Sequence, residues 1–213
     1  MKLFSLDPLG LFAALAFAAL IFLFTGPFAP SFAALLLIFL ISGGLVTRYG
    51  QDRKRELTLY EYERSWENVL ANGSVPVICA IAYAYLPAAL WAYVGSVSAV
   101  AADKFASELG VLGGQPYSLP YLRKVRFGTS GAMSVLGTFA SWDGGILIGI
   151  SSYFLFPGLD GWDVLIISCI GVAGSFIDTL FGILENKGFG NKSTTNLLCS
   201  VAGALLGLIL LGH

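Results

Sequence analysis

Residues 75–110 read VPVICAIAYAYLPAALWAYVGSVSAVAADKFASELG, and whether this stretch crosses a membrane once or twice decides the fold. Its length exceeds the roughly 20 residues that one crossing of the hydrocarbon needs and barely suffices for two. Charge settles the count. The 12 Lys and Arg residues fall into four groups: Lys2; Arg48, Arg53, Lys54, Arg55 and Arg64; Lys104, Arg123, Lys124 and Arg126; Lys187 and Lys192. A single crossing would put neighbouring groups on alternate sides, against the tendency of basic loops to stay cytoplasmic. Two crossings, turning near Pro87, put all of them on one face.

Outward from there, apolar runs read directly as spans: 9–24, 28–46, about 131–156, 164–184 and 197–211, with turn residues at 25–30 and 157–161 between neighbours. The first run lacks a small-residue cleavage site and is followed at once by a second, so it reads as a span rather than a signal peptide. The prediction is an all-α, polytopic membrane bundle of about seven helices forming a single domain over 1–213. The N-terminus and basic loops are expected in the cytoplasm and the C-terminus outside. The two central helices are expected to be short, about 12 to 19 residues each, and tilted or broken.

Composition agrees. The chain is 56% hydrophobic and only 12% charged, with a mean hydropathy of +0.79; a soluble domain carries roughly 25% charged residues. A net charge of −1 gives no electrostatic case for a nucleic-acid partner. Cys79, Cys169 and Cys199 have no metal or redox spacing and read as small buried side chains. The one histidine, His213, is terminal, so chemistry must run on carboxylates, amides, hydroxyls, Lys and Arg. Recurrent Gly and Ser over 128–149 and 171–182 read first as close helix packing.

Ionisable residues at the hydrocarbon are costly and point to function. Asp103 and Glu108 sit at the end of the fourth predicted helix, on two sides of a pocket or, alternatively, on a solvated helix end where Lys104 neutralises one of them. Asp178 and Glu185, two turns apart, share a helical face, and Asp178 lies inside the membrane boundary, where a ligand, a metal or a cationic partner must meet it. The loop 186–196, with Asn191, Lys192 and Asn196, can present donors to phosphate oxygens. Arg64, Asn68 and Asn72 form a row along a cytoplasmic helix expected to end at Gly73. Lys124 and Arg126 run into Gly128, Thr129, Ser130 and Ser134, a phosphate cradle at a helix start or, alternatively, a basic anchor for anionic lipid. It is not a Walker A motif. Asp143 falls mid-span or at a break, with no role assigned.

The segments 69–73 (VLANG), 103–110 (DKFASELG), 127–134 (FGTSGAMS), 174–182 (GSFIDTLFG) and 191–196 (NKSTTN), in this order over about 40–213, resemble the integral membrane family that contains the plant phytyl-phosphate kinase. The Asp103 segment with its following basic stretch is also similar to dolichol and phytol kinases and CDP-diacylglycerol synthases, which favour CTP. Lys104 departs from the small polar residue expected of the family. The resemblance implies transfer of a phosphoryl group from a nucleoside triphosphate, CTP above all, to an isoprenoid monophosphate such as phytyl or geranylgeranyl phosphate. In that reading Asp103, with Glu108 or Asp178, holds Mg²⁺; Arg64, Lys124, Arg126 and Lys192 balance phosphate charge; Thr129, Ser130, Asn68, Asn72, Asn191 and Asn196 supply hydrogen bonds. Gly128, Ser134 and Glu185 complete the expected binding set. The competing readings are a small transporter of an anionic or lipid-like solute, a prenol kinase or cytidylyltransferase, and a structural membrane subunit. The lipid bilayer is a partner in all of them, and a homo-oligomer stays open.

Overall fold

The computed structural model describes residues 6–60, 65–119 and 121–212. Within them the helices run α1 (Pro8–Phe24), α2 (Ala29–Arg48), α3 (Gln51–Glu56), α4 (Trp66–Tyr83), α5 (Ala89–Gly110), α6 (Val135–Leu155), α7 (Gly161–Glu185) and α8 (Lys192–Leu211). All but α3 are long. Successive long helices run antiparallel. Tight connections join α1 to α2, α4 to α5 and α6 to α7 at one end, while the described parts of the longer connections, 49–60, 111–119, 121–134 and 186–191, gather at the other. The Trp66 amide donates to Asp7 Oδ2 at 3.2 Å, fixing the start of α4 beside the start of α1. Among the described residues three helices are by themselves long and apolar enough to cross a bilayer: Gly26–Arg48, which includes α2, then α7 and α8. Helix α1 is a shorter apolar helix.

The helix ends follow their local chemistry. Asp7, Ser65, Ser134, Asp160 and Asn191 each accept a first-turn amide of the helix they precede. Asp160 with Asp163, and Asn191 with Thr194, close reciprocal capping boxes. Pro87 sits in the 84–88 turn between α4 and α5, as the charge argument requires.

Helix α5 is the hub. Residues 92–102 are all buried, and the sequence there is almost entirely Ala, Ser, Gly and Val because helices crowd it from several sides. A Cβ on Gly207 would lie 3.4 Å from the Gly95 Cα, and one on Gly144 would stand 2.8 Å from the Ala101 carbonyl oxygen, so α8 and α6 approach α5 at backbone distance. Ser96 and Ser200 hydroxyls meet at 2.8 Å, and the Ser98 hydroxyl donates to the Ile167 carbonyl at 2.8 Å, satisfying polar atoms that lipid cannot. At the tight-turn end, Phe32, Tyr93 and Phe156 stack edge-on, and the Tyr93 hydroxyl donates to the Phe32 carbonyl.

Several sequence expectations change. Of the central pair, α4 at 18 residues falls within the expected length and α5 at 22 exceeds it. The polar stretch from Trp66 is already helical, and Gly73 lies inside α4 instead of ending it. The site-side loop is not wholly irregular: Tyr117–Ser118 (β1) pairs antiparallel with Arg123–Lys124 (β2) and Ala132–Met133 (β3). Among the cysteines only Cys199 is buried; Cys79 is half-buried and Cys169 is exposed on the outer face of α7. Asp143 lies within α6, not at a break, and is exposed.

Candidate functional site

At the end of the bundle where the long connections gather, a polar cavity of about 370 Å³ opens between α4, α5, α7, α8 and the 127–134 loop. Its floor holds two carboxylates that the sequence places 75 residues apart. Asp103 comes from the last two turns of α5 and Asp178 from α7, two turns before its end. They meet across the ammonium of Lys192, the first residue of α8. Its Nζ stands 3.1 Å from Asp178 Oδ2 and 4.0 Å from Asp103 Oδ2. Asp178 is 7% exposed, yet its Oδ1 has no hydrogen-bond partner among the described residues, and neither does Oδ1 of buried Asn196, one turn further along α8 from Lys192. Buried oxygens left without donors are rare and costly, and both residues line a cavity that a cation can enter.

A second charged group forms the wall. Lys54, 1% exposed, donates from Nζ to Glu108 Oε2 at 2.8 Å and to the Val46 and Thr47 carbonyls at 2.7 and 3.0 Å. It thereby caps the C-terminal end of α2. Glu108 Oε1 accepts from Thr47 Oγ1 at 2.9 Å and from Lys104. Both oxygens of Glu108 are therefore engaged by ammonium groups, and of the two expected partners of Asp103 it is Asp178 that shares Lys192 with it. Among the described residues no cluster of three or more acidic, cysteine or histidine side chains is placed to hold a metal. The acidic pair is Asp103 with Asp178, while Glu108 tethers α5 to α2 and α3.

The 127–134 loop roofs the cavity. Gly128 and Gly131 have φ of +79° and +72°, in the left-handed region that side chains avoid. A Cβ on Gly131 would stand 2.5 Å from the Ile183 amide nitrogen, so only glycine lets this turn lie on α7 at Gly182. The Asn186 side chain donates to the Ser130 carbonyl, pinning the same contact. The Thr129 hydroxyl donates to the Arg126 carbonyl at 2.8 Å, and Ser134 bridges the Gly110 carbonyl and the Gly137 amide at 2.9 and 3.1 Å. These two hydroxyls shape the loop. On α4, the Asn72 amide donates to Asn68 Oδ1 at 3.0 Å, which confirms the expected one-turn spacing. Pro76, inside α4, has no N–H to return to the Asn72 carbonyl.

Of the residues expected from sequence, Asn68, Asn72, Asp103, Glu108, Gly128, Thr129, Ser130, Ser134, Asp178, Lys192 and Asn196 all line the cavity. Arg64 lies outside the described residues. Lys124 and Arg126 are exposed on the sheet side of the loop and do not line it; Asn191 is spent on its capping box. Glu185 does not line it either, because the Gly131 turn covers α7 at Gly182 and closes the cavity one turn short of it. Lys54 was missed. It sits in QDRKRE, where nothing separates it from Arg53 and Arg55, both exposed. Ser175 and Thr179 were missed too, although they follow from the face of α7 that carries Asp178.

A family model described as integral membrane protein DUF92 matches residues 1–206. The chain is 38% identical to an uncharacterized membrane protein of Methanocaldococcus jannaschii over 182 residues, covering 83% of this chain and 74% of that one. It is 31% identical to an uncharacterized membrane protein of Synechocystis over 163 residues, 71% of this chain and 62% of the relative. It is also 26% identical to Protein PGR of Arabidopsis thaliana over 207 residues, 83% of this chain and 69% of that protein. No solved structure matches it.

Proposed function

The chain belongs to the integral membrane protein DUF92 family, and from that premise we propose that it is a membrane phosphotransferase moving the γ-phosphoryl group of a nucleoside triphosphate, CTP above all, onto an isoprenyl monophosphate. The observation that carries this reading is the pair Asp103 and Asp178 around Lys192 at a cavity that Asp178 and Asn196 line, each with one buried oxygen left without a hydrogen-bond partner among the described residues.

The oxygen set suits a hard divalent cation. Mg²⁺ takes one or two carboxylates and shares the rest of its sphere with phosphate and water, so Asp103, Asp178 and Asn196 are the residues to hold it. When bound, it neutralises charge on the donor phosphates. The need for it follows from a charge count. The cavity is lined by Lys54, Lys104 and Lys192 against Asp103, Glu108 and Asp178, so its own side chains balance and offer a polyphosphate no surplus. The surplus comes from the cation and from Lys124 and Arg126 on the neighbouring loop.

The chemistry asks little else of the protein. An acceptor phosphate oxygen attacks the γ-phosphorus, a new P–O bond forms, the bond to the β-phosphate oxygen breaks, and the nucleoside diphosphate leaves with that electron pair. The attacking oxygen is already anionic near neutral pH, so no histidine or other strong base is required. Lys192 is placed to pair with phosphate charge once a cation engages the carboxylates. The 127–134 loop presents backbone amides, and Asn68 and Asn72 present side-chain amides. The basic loops are cytoplasmic in this reading, where the nucleotide is found.

Purified protein incubated with γ-labelled CTP, ATP or GTP and phytyl or geranylgeranyl monophosphate tests this. Labelled prenyl diphosphate should appear, and chelation of Mg²⁺ should abolish it. Folded protein giving no diphosphate from any nucleotide would defeat the reading.

A further inference from the structure

Beside the polar cavity lies a second space of about 160 Å³, between α1, α2 and α4. Among the described residues its walls are aliphatic and aromatic apart from Asn68 and Asn72, the only polar side chains lining it. These two amides, with Phe39, also line the polar cavity, so the two spaces adjoin through one shared wall. Leu37, 46% exposed at its edge, opens the apolar side toward the surrounding bilayer.

We infer that this crevice receives the phosphate-proximal part of the acceptor's prenyl tail, and that the protein reads about the first two isoprene units while the rest of the chain lies in lipid. This rests on the phosphotransferase reading and names how that site would select its acceptor. A prenyl monophosphate is a polar head joined directly to a hydrocarbon chain. It requires a polar chamber and an apolar slot in contact, with hydrogen-bonding side chains at the junction, and Asn68 and Asn72 stand at that junction.

The dimensions set the reach. The wall runs from Ala14 to Ile21 on α1 and from Ala33 to Leu40 on α2, about 10 Å at 1.5 Å rise per residue. A dry apolar cavity of this size holds a molecule about as large as benzene, so its enclosed part takes about one isoprene unit and the second lies along the open edge at Leu37, far short of a twenty-carbon chain. Small side chains keep it open. Ala14, Ala18 and Ala33 line it, and Gly73 lies under the Phe17 ring, where a Cβ would come 2.9 Å from Phe17 Cδ2. Any larger residue at 73 drives the ring or itself into the slot. Phytyl and geranylgeranyl chains share their first allylic unit and differ in saturation beyond it, so a slot of this length discriminates weakly between them.

Two measurements test the inference. The first is a series of dimethylallyl, geranyl, farnesyl, geranylgeranyl and phytyl monophosphates at saturating nucleotide. KM should fall by about tenfold from the five-carbon to the ten-carbon acceptor and then level off, and G73L should raise KM for every acceptor from ten carbons upward by about tenfold. A KM that keeps falling to twenty carbons, or a G73L enzyme with unchanged KM, would overturn it. The second uses the wild-type protein in bilayers and needs no variant to fold: a prenyl monophosphate carrying a photoreactive diazirine in its second isoprene unit. Adducts should map to residues 14–21, 33–40 or 69–73, and adducts confined to α6, α7 or α8 would overturn the assignment. The two proposals fail separately. Adducts in the crevice with no diphosphate product remove the phosphoryl-transfer step and keep the tail site; diphosphate product with adducts elsewhere does the reverse.

Discussion

The ammonium of Lys192 lies 3.1 Å from the carboxylate of Asp178, while the other oxygen of that carboxylate has no hydrogen-bond partner among the described residues. A side chain held this way is half satisfied by the protein and half reserved. Such an arrangement costs folding free energy unless something else is bound there. D178N should therefore leave the melting temperature of the detergent-solubilised protein unchanged or raise it, while lowering phosphoryl transfer by about a thousandfold or more. D103N should act similarly on turnover. Full activity in both variants would remove these residues from the site.

Lys54 and Glu108 make the opposite prediction. Lys54 is nearly inaccessible and Glu108 has little exposure, so removing Lys54 takes the buried ammonium away from Glu108 Oε2 and from the carbonyls at the end of α2, although Lys104 still meets the other oxygen of Glu108. K54M should destabilise the protein by about 3 kcal/mol, and the double variant K54M/E108Q should recover part of that. Denaturation in mild detergent checks both; a K54M protein as stable as wild type would show that the pair does not brace α3 against α5.

The glycine turn on α7 predicts a loss of both stability and activity. G131A places a side chain at positive φ against the α7 backbone, with a cost of about 1 to 3 kcal/mol. Because that turn roofs the cavity, kcat/KM should fall by more than the stability loss explains under conditions where the variant is fully folded. An unchanged kcat/KM would mean that the loop does not touch the reactants.

Sidedness follows from the antiparallel order of the helices. Cysteines introduced at Arg55, Lys124 and Phe189, in a background lacking Cys79, Cys169 and Cys199, should all react with an impermeant maleimide from the same side, the cytoplasmic one. Labelling of any of the three from the opposite side would break the site apart.

Much of this was legible in the sequence, and for a physical reason. The seven long helices follow from the positions of Lys and Arg, because a charge cannot be left in hydrocarbon and so marks where the chain must surface. Asp103 and Asp178 stood out on the same ground. What misled was local punctuation. Gly73 reads as a helix end, yet its lack of a side chain serves the Phe17 ring, a contact some 56 residues away that no window around Gly73 contains. Pro76 strengthened the impression of a break, although the helix passes through it. For Glu108 the sequence offers Lys104 as a neutralising neighbour, and that contact forms. What it does not offer is the second ammonium, Lys54, one of three consecutive basic residues of which only the middle one turns inward.

The crowding around α5 has a consequence for biogenesis. A helix wrapped by its neighbours has no need of a greasy exterior, and α5 is indeed absent from the helices hydrophobic enough to span alone among the described residues. The insertion machinery judges segments one by one on such hydrophobicity, so it would hold α5 only weakly. Its residence in the bilayer then depends on α6, α7 and α8 arriving from the ribosome after it, which makes the centre of the helical scaffold the last part of the chain to become secure.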